Sequence, residues 1–197
     1  MSLPQYKQVA PGVLSIQALD IQSCNSIIHN AEENGDWIQA EITNYDDKKT
    51  LSQYVDLEAR NVQVKGPLQI PNLCMQCSKI MNQVGLPTIL RHWNISGLKL
   101  SGIQLAKYVA GSHIRNHNDT ATEFSSRCVS AILYLNDNYE GGTLNFPRLS
   151  YSHHPNVGEL LLFPSEYLHG VFPVILGIRY CFVGFFLVND NSNWIKD

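Results

Sequence analysis

Charge is scarce in this chain of 197 residues: Asp, Glu, Lys and Arg make up 16% of it, against roughly 25% in average usage. The 14 basic and 17 acidic side chains leave a net charge of −3, and no long basic run stands among them. The sequence therefore lacks the electrostatic footprint of a nucleic-acid or anionic-membrane binder, and neither partner is expected. It also lacks an internal repeat and any low-complexity tract. Residues 1–19 lack a charged leader followed by an apolar stretch, so no secretory signal is expected. Cys24, Cys74, Cys77, Cys128 and Cys181 form an odd set without regular spacing, which gives neither a disulfide framework nor a zinc pattern. Reduced thiols in a cytoplasmic protein are the expectation. Cys74 and Cys77 form a lone C-x-x-C, read as two thiols on one helix.

The apolar share is 44%, enough for a sizeable core, and one domain over residues 1–197 is expected. Residues 171–188 are almost wholly apolar and numerous enough to span a bilayer. They contain Pro173, Gly177, Arg179 and Gly184, however, and are rich in Val, Ile, Phe and Tyr. Two buried strands joined by a turn fit better than a spanning helix, so no membrane association is expected.

The first 97 residues read as a mixed support region. A short strand is expected at 13–16. Asp20 stands as an N-cap before Ile21, Cys24, Ile27, Ile28 and Ala31 at helical spacing, which predicts a helix over 21–34 that stops at Gly35. Residues 37–42 suggest a strand, and 44–49 a polar loop, either a lid over a site or a connector. A second helix is predicted over 71–84, with Leu73, Cys77, Ile80, Met81 and Val84 as its apolar stripe and Gly85-Leu86-Pro87 as its end. From Leu98 the pattern changes to short strands between turn residues, at 98–109, 113–117, 127–135, 143–146, 159–163, 170–174 and 178–188. This pattern over 98–188 suggests a sandwich or jelly roll.

The chemistry concentrates in the same segment. His117 and Asp119 are separated by one residue, and alternate side chains of an extended strand face one way. With His169 they make two imidazoles and a carboxylate, a set that holds Fe(II) while leaving coordination positions open. Arg179, ten positions after His169, offers a planar fork to a carboxylate. Inside so apolar a run an unpaired charge is costly. Arg179 therefore pairs either with a distant acid at a sheet edge or with a ligand. Other histidines are less suited. His153 and His154 are adjacent, point to opposite faces of an extended chain, and are expected at the surface. His29, on the first helix, reads as structural.

The order of motifs between these residues carries a resemblance. Arg127-Cys-Val-Ser-Ala-Ile-Leu-Tyr-Leu-Asn-Asp137 is followed by Tyr139-Glu-Gly-Gly-Thr-Leu-Asn-Phe-Pro147. Then come Pro155-Asn-Val-Gly-Glu-Leu-Leu-Leu-Phe-Pro-Ser165, His169-Gly-Val171 and Gly177-Ile-Arg-Tyr180. Over residues 104–187 this order resembles the Fe(II)/2-oxoglutarate-dependent dioxygenases, in their prolyl 4-hydroxylase-like branch. The resemblance implies a mainly β (α+β) fold: a double-stranded β-helix, or jelly roll, with supporting N-terminal helices. It implies Fe(II) on His117, Asp119 and His169, with 2-oxoglutarate as cosubstrate, O2, and stimulation by ascorbate. Arg179 and Tyr134 match positions used for the distal carboxylate of 2-oxoglutarate, and Tyr108 one near its metal-binding end. Val171 and Phe185 share strand parity with His169 and Arg179 and, with Leu144, are expected in the apolar wall. Thr143, one residue before Leu144, faces the other way. Arg127 either meets substrate at the mouth of the site or caps the sheet.

The implied activity is hydroxylation of an unactivated C–H bond, with release of succinate and CO2. Prolyl residues are the nearest analogy, and other amino-acid residues, peptides and small metabolites remain open as substrates. Two other functions compete. A cupin-like isomerase or lyase would commonly bring three or more His ligands and a Glu. A non-catalytic jelly-roll binding module would not need the triad intact. The sequence leaves the oligomeric state open.

Overall fold

In the computed structural model, which describes residues 4–45, 51–120 and 126–188, the chain opens with a hairpin. Its strands are β1 (Lys7–Ala10) and β2 (Val13–Gln17), and Pro11-Gly12 makes the turn. Asp20 then caps α1 (Ile21–Glu33): its Oδ1 accepts the Ser23 backbone N–H at 2.7 Å and satisfies one of the orphan donors of the first turn. Cys24, Ile27 and Ala31 are its buried face. At the other end, the buried Lys65 ammonium donates to the Ala31 carbonyl at 2.5 Å and the Asn34 carbonyl at 2.9 Å. A cation on these free carbonyls also complements the helix dipole.

The stretch between the helices is more strand-rich than its sequence suggests. It contains β3 (Ile38–Gln39), β4 (Ile42–Tyr45), β5 (Leu51–Tyr54), β6 (Arg60–Asn61) and β7 (Gln63–Lys65). The single strand expected over 37–42 is thus split in two. The expected polar loop begins as strand, because β4 pairs with β5 through Tyr45; residues 46–49 of that loop lie outside the described residues.

The second helix differs from expectation. α2 (Pro71–Trp93) runs straight through Gly85-Leu86-Pro87. Gly85 is there for packing: a Cβ on it would stand 2.7 Å from Phe186 Cζ. Pro87 removes one backbone donor, while next to it the Thr88 hydroxyl donates to the Val84 carbonyl at 2.8 Å. Burial of Thr88 and Ile89 offsets the local penalty, and Asn94, with φ 57°, closes the helix. Cys74 and Cys77 are buried on this helix, and burial pushes their thiols up to about 11 and about 12.

The second half supplies β8 (Leu98–Tyr108), β9 (His113–His117), β10 (Arg127–Tyr134), β11 (Glu140–Gly141), β12 (Leu144–Phe146), β13 (Tyr151–His153), β14 (Glu159–Pro164), β15 (His169–Val171), β16 (Val174–Leu176) and β17 (Arg179–Val188). One eight-stranded sheet has the order β1-β2-β14-β10-β17-β8-β7-β3, and one five-stranded sheet has the order β13-β12-β15-β9-β6. The chain alternates between the two, and their strands pair antiparallel, which makes a double-stranded β-helix.

Period-two alternation assigns each side chain to a layer. On β10, Val129, Ala131 and Leu133 join the cluster under the helices, whereas Ile132 and Tyr134 join the cluster between the sheets. Both faces of the large sheet are covered. That is why its strands read as nearly unbroken apolar runs, and why residues 171–188 mimic a membrane span. They form the end of β15, then β16 and β17. No helix among the described residues is long and apolar enough to cross a membrane.

One of the two histidines expected at the surface is not there. His154 is exposed, but His153 is buried, with Nε2 2.8 Å from Glu159 Oε1 and Nδ1 2.9 Å from the Tyr151 hydroxyl. His153 is the last residue of β13 and faces inward, whereas His154 follows the strand and faces out.

Two outcomes follow for stability. Gly158 has φ +76°, and a Cβ there would collide with the Leu19 carbonyl oxygen. Gly158→Ala is expected to cost roughly 2–4 kcal/mol, read as a lower urea midpoint. Burial raises the pKa of Glu159, but its bonds to His153 and to the Asn156 N–H outweigh that and hold it below the ordinary 4.5. A depressed carboxyl stabilises the fold above its unfolded value and loses that contribution as pH falls through the folded value. The stability gap between wild type and Glu159→Gln should therefore be full at neutral pH and shrink below pH 4.5.

Candidate metal centre

β9 and β15 lie side by side in the small sheet with His117 directly opposite His169. Their ring centroids are 4.4 Å apart. His117 Nδ1 donates to the Arg115 carbonyl at 2.9 Å and His169 Nδ1 to the Tyr167 carbonyl at 2.8 Å. Each bond places the ring proton on Nδ1 and leaves the Nε2 lone pair facing the partner group.

That partner is Asp119. Its Oδ1 lies 3.4 Å from His117 Nε2, and its Oδ2 lies 3.5 Å from His169 Nε2. One ligand atom from each of the three residues falls within 4.8 Å of the others. Strand parity is not what brings Asp119 there, since β9 ends at His117 and Asp119 sits in the bend after it. The chain is turned inward by the Asp119 N–H, which donates to the Ser165 carbonyl at 2.8 Å. The Ser130 hydroxyl donates to Asp119 Oδ2 at 2.6 Å and lies 2.9 Å from the Ser165 hydroxyl. With its own proton given to Asp119, Ser130 accepts from Ser165.

The electrostatics suit a cation. Burial raises the Asp119 carboxyl, but the His117 hydrogen bond, the charges of both imidazoles and Ser130 outweigh it and hold the group at about 2. Burial lowers His117, and the adjacent carboxylate more than compensates, so its pKa is raised. For His169 burial wins, and its pKa is lowered. The centre is thus a carboxylate beside at least one readily neutral imidazole, the protonation states that metal coordination requires.

Arg179 lies in the same cavity of about 510 Å³. It is fully buried, and none of Nε, Nη1 and Nη2 has a hydrogen-bond partner among the described residues. Its Cζ stands 4.3 Å over the Tyr108 ring, its register partner on β8, and 5.1 Å from the Tyr134 ring. The sheet-edge ion pair considered for Arg179 is not formed among these residues. Burial raises the Tyr134 phenol well above its ordinary value and pushes Tyr139 up to about 12, so both are neutral hydroxyls. Their buried oxygens also lack hydrogen-bond partners. A buried guanidinium beside two unused hydroxyls fits a dicarboxylate far better than an apolar ligand.

The remaining nominated residues are placed as follows. Tyr108, Leu144, Val171 and Phe185 line the cavity, and Leu144 pairs with Val171 across the small sheet. Tyr134 does not line it but packs beside Arg179. Arg127 lines it too, with Cζ 3.7 Å over the Phe185 ring and Nη1 donating to the Asp119 carbonyl at 3.4 Å. Thr143 lines a separate surface pocket with Asp137 and Tyr139. Sequence reasoning missed Ser130, Ser165 and Tyr139. A signal for Ser130 existed, because a hydroxyl in the middle of the apolar strand 127–135 needs a buried partner. Tyr139 gave none, since its place beside Arg179 depends on the glycine turn that follows it.

Comparison with known proteins is consistent with this geometry. Residues 103–187 match the model of the 2OG-Fe(II) oxygenase superfamily. A PKHD-type hydroxylase of Prochlorococcus marinus (strain MIT 9215) is 27% identical over 144 residues, which cover 71% of this chain and 64% of the relative. The chain spans between about half and two thirds of the length of the two curated relatives it matches. The crystal structure of a Pseudomonas putida prolyl-4-hydroxylase aligns with TM-score 0.64 and 25% identity, over 90% of this chain and 93% of that one. A prolyl hydroxylase from Trichoplax adhaerens, in complex with a hypoxia inducible factor peptide fragment, aligns with TM-score 0.65 over 89% and 83% of the two chains. At 18% identity it shares the fold alone. With residues 103–187 matched over the core, and with the triad in place, the chain is similar to the 2OG-Fe(II) oxygenase superfamily and, within it, to the prolyl 4-hydroxylase-like branch.

Proposed function

We propose that this chain is a 2-oxoglutarate-dependent Fe(II) dioxygenase that hydroxylates an unactivated C–H bond, with a prolyl or other amino-acid residue as the nearest substrate class. The observation that carries this reading is the buried guanidinium of Arg179, without a hydrogen-bond partner among the described residues, in the cavity that also contains the triad. His117 and His169 hold Fe(II) through Nε2, and Asp119 holds it through its carboxylate. Arg179 receives the C5 carboxylate of 2-oxoglutarate in a two-point contact, and the Tyr134 hydroxyl adds a third donor. Tyr108 stacks on Arg179 and orders it. Leu144, Val171 and Phe185 keep water from the reacting groups. When bound, Fe(II) and 2-oxoglutarate with O2 supply the oxidation, the cosubstrate leaving as succinate and CO2. Ascorbate is expected to stimulate turnover.

Residues 1–97 act as a support region of one domain and contribute Glu41 and Arg60 to the cavity wall. Five free thiols support a cytoplasmic location. The cupin-like alternative is weakened because, among the described residues, no further His or Glu joins the triad. The non-catalytic alternative is weakened because the triad is complete.

Four sets of measurements test this. Incubation with Fe(II), ascorbate, O2 and labelled 2-oxoglutarate should release labelled CO2, and His169→Ala should abolish that release while the protein stays folded. Arg179→Ala should weaken anaerobic 2-oxoglutarate binding by about 2–5 kcal/mol while metal binding survives. Tyr134→Phe should cost about 0.5–1.5 kcal/mol. An Arg179→Ala protein that binds iron and 2-oxoglutarate like wild type removes the cosubstrate assignment. Ser130→Ala, which frees Asp119 Oδ2, should lower Co(II) affinity by about 10–100-fold, measured by calorimetry, and Ser130→Thr should restore it.

A further inference from the structure

A second arginine reaches this cavity from outside the matched core. Arg60 lies on β6, whose pairing with β9 sets it against Ile114, three residues before His117. It lines the same cavity as His117 and Arg179. Among the described residues its Nε is buried without a hydrogen-bond partner, and its Nη1 donates to the Glu41 carbonyl at a long 3.3 Å. Among the described residues no carboxylate forms an ion pair with it. Its charge is nevertheless felt at the site, where it acts on both His117 and Tyr108.

The other arginines of the wall are placed differently. Arg115 pairs with Glu58 at 3.1 Å, Arg127 is stacked on Phe185, and Arg179 lies deep beside Tyr108 and Tyr134. Among the described residues, four arginines line the cavity and two carboxylates do, those of Glu41 and Asp119. The local sign thus opposes the chain's net charge of −3. A cavity of that sign between low-dielectric walls draws in anions.

We propose that Arg60 makes the mouth of this cavity a receptor for a carboxylate carried by the primary substrate. The proposal rests on the reading that Arg179 takes the cosubstrate. A guanidinium with Nε unused presents its Nε–Nη edge, which matches the two oxygens of one carboxylate. That carboxylate belongs either to an acidic residue of a peptide or to a free amino acid, and the two sources share this chemistry. The chain's own fold places the receptor beside the metal-binding strand. A substrate anchored there through its acid presents a neighbouring C–H bond to the centre.

The test uses full-length protein loaded with Mn(II) and 2-oxoglutarate under argon. Binding of two matched pairs is measured by ligand-observed NMR: N-acetyl-Pro-Glu-amide against N-acetyl-Pro-Gln-amide, and L-proline against L-prolinamide. Wild type should prefer the acid of one pair by about tenfold or more, and the pair that discriminates identifies the source. Arg60→Gln should erase the preference, and Arg60→Lys, which keeps the charge but not the fork, should restore part of it. Absence of a preference in wild type, or its persistence in Arg60→Gln, overturns the proposal. So does a loss of 2-oxoglutarate affinity in Arg60→Gln as large as that in Arg179→Ala, because Arg60 then serves the cosubstrate. Failure of wild type to bind 2-oxoglutarate in the presence of Mn(II) instead overturns the earlier reading.

Discussion

The structure turns on keeping a carboxylate and a guanidinium inside a sheet sandwich. Both Asp119 and Arg179 are taken out of water, and each isolated charge would cost far more than an ordinary polar burial. Asp119 is compensated from within the chain by two imidazoles, by Ser130 and by its backbone link to Ser165. Arg179 is not: it has aromatic faces over it and neutral hydroxyls beside it, and neither cancels a charge. The asymmetry divides the cavity into an end whose charge is compensated within the chain and an end whose chemistry suits an anion. Both ends depend on the same device, antiparallel register, which sets His117 against His169 and Arg179 against Tyr108.

Much of this was legible in the sequence, for physical reasons. Strands covered on both faces must be apolar throughout, so any polar residue inside them stands out. Arg179 stands out in β17, and Ser130 does so in β10. Asp20 was legible as a cap because its short side chain bonds the backbone three residues on. Caps, turns and register are local rules, and the core strands follow them closely.

What was not legible depended on contacts distant in sequence. Gly85 and Pro87 read as a stop, yet α2 continues because Phe186, a hundred residues away, needs the space a glycine leaves. His153 read as surface because its partner, Glu159, lies beyond a turn that includes Gly158. The strands between residues 38 and 65 are two to four residues long. Such segments are too short for a period to register: β6 and β7 form against the longer β9 and β8, and β4 and β5 pair with each other.

The two parts of the cavity also have different origins in the chain. The triad and Arg179 lie within the matched residues 103–187, whereas Arg60, Glu41, Ile42 and Thr43 come from before them. The matched part sets the chemistry that a jelly roll of this kind carries. It says little about which C–H bond is presented, because one scaffold hosts many substrates. On the proposed function, selection would fall to the wall supplied by residues 41–60. That wall is pinned to the centre through the pairing of β6 with β9, so a residue there is held beside the strand that ends at His117. A side chain that anchors substrate from such a position can alter which molecule is oxidised without altering how.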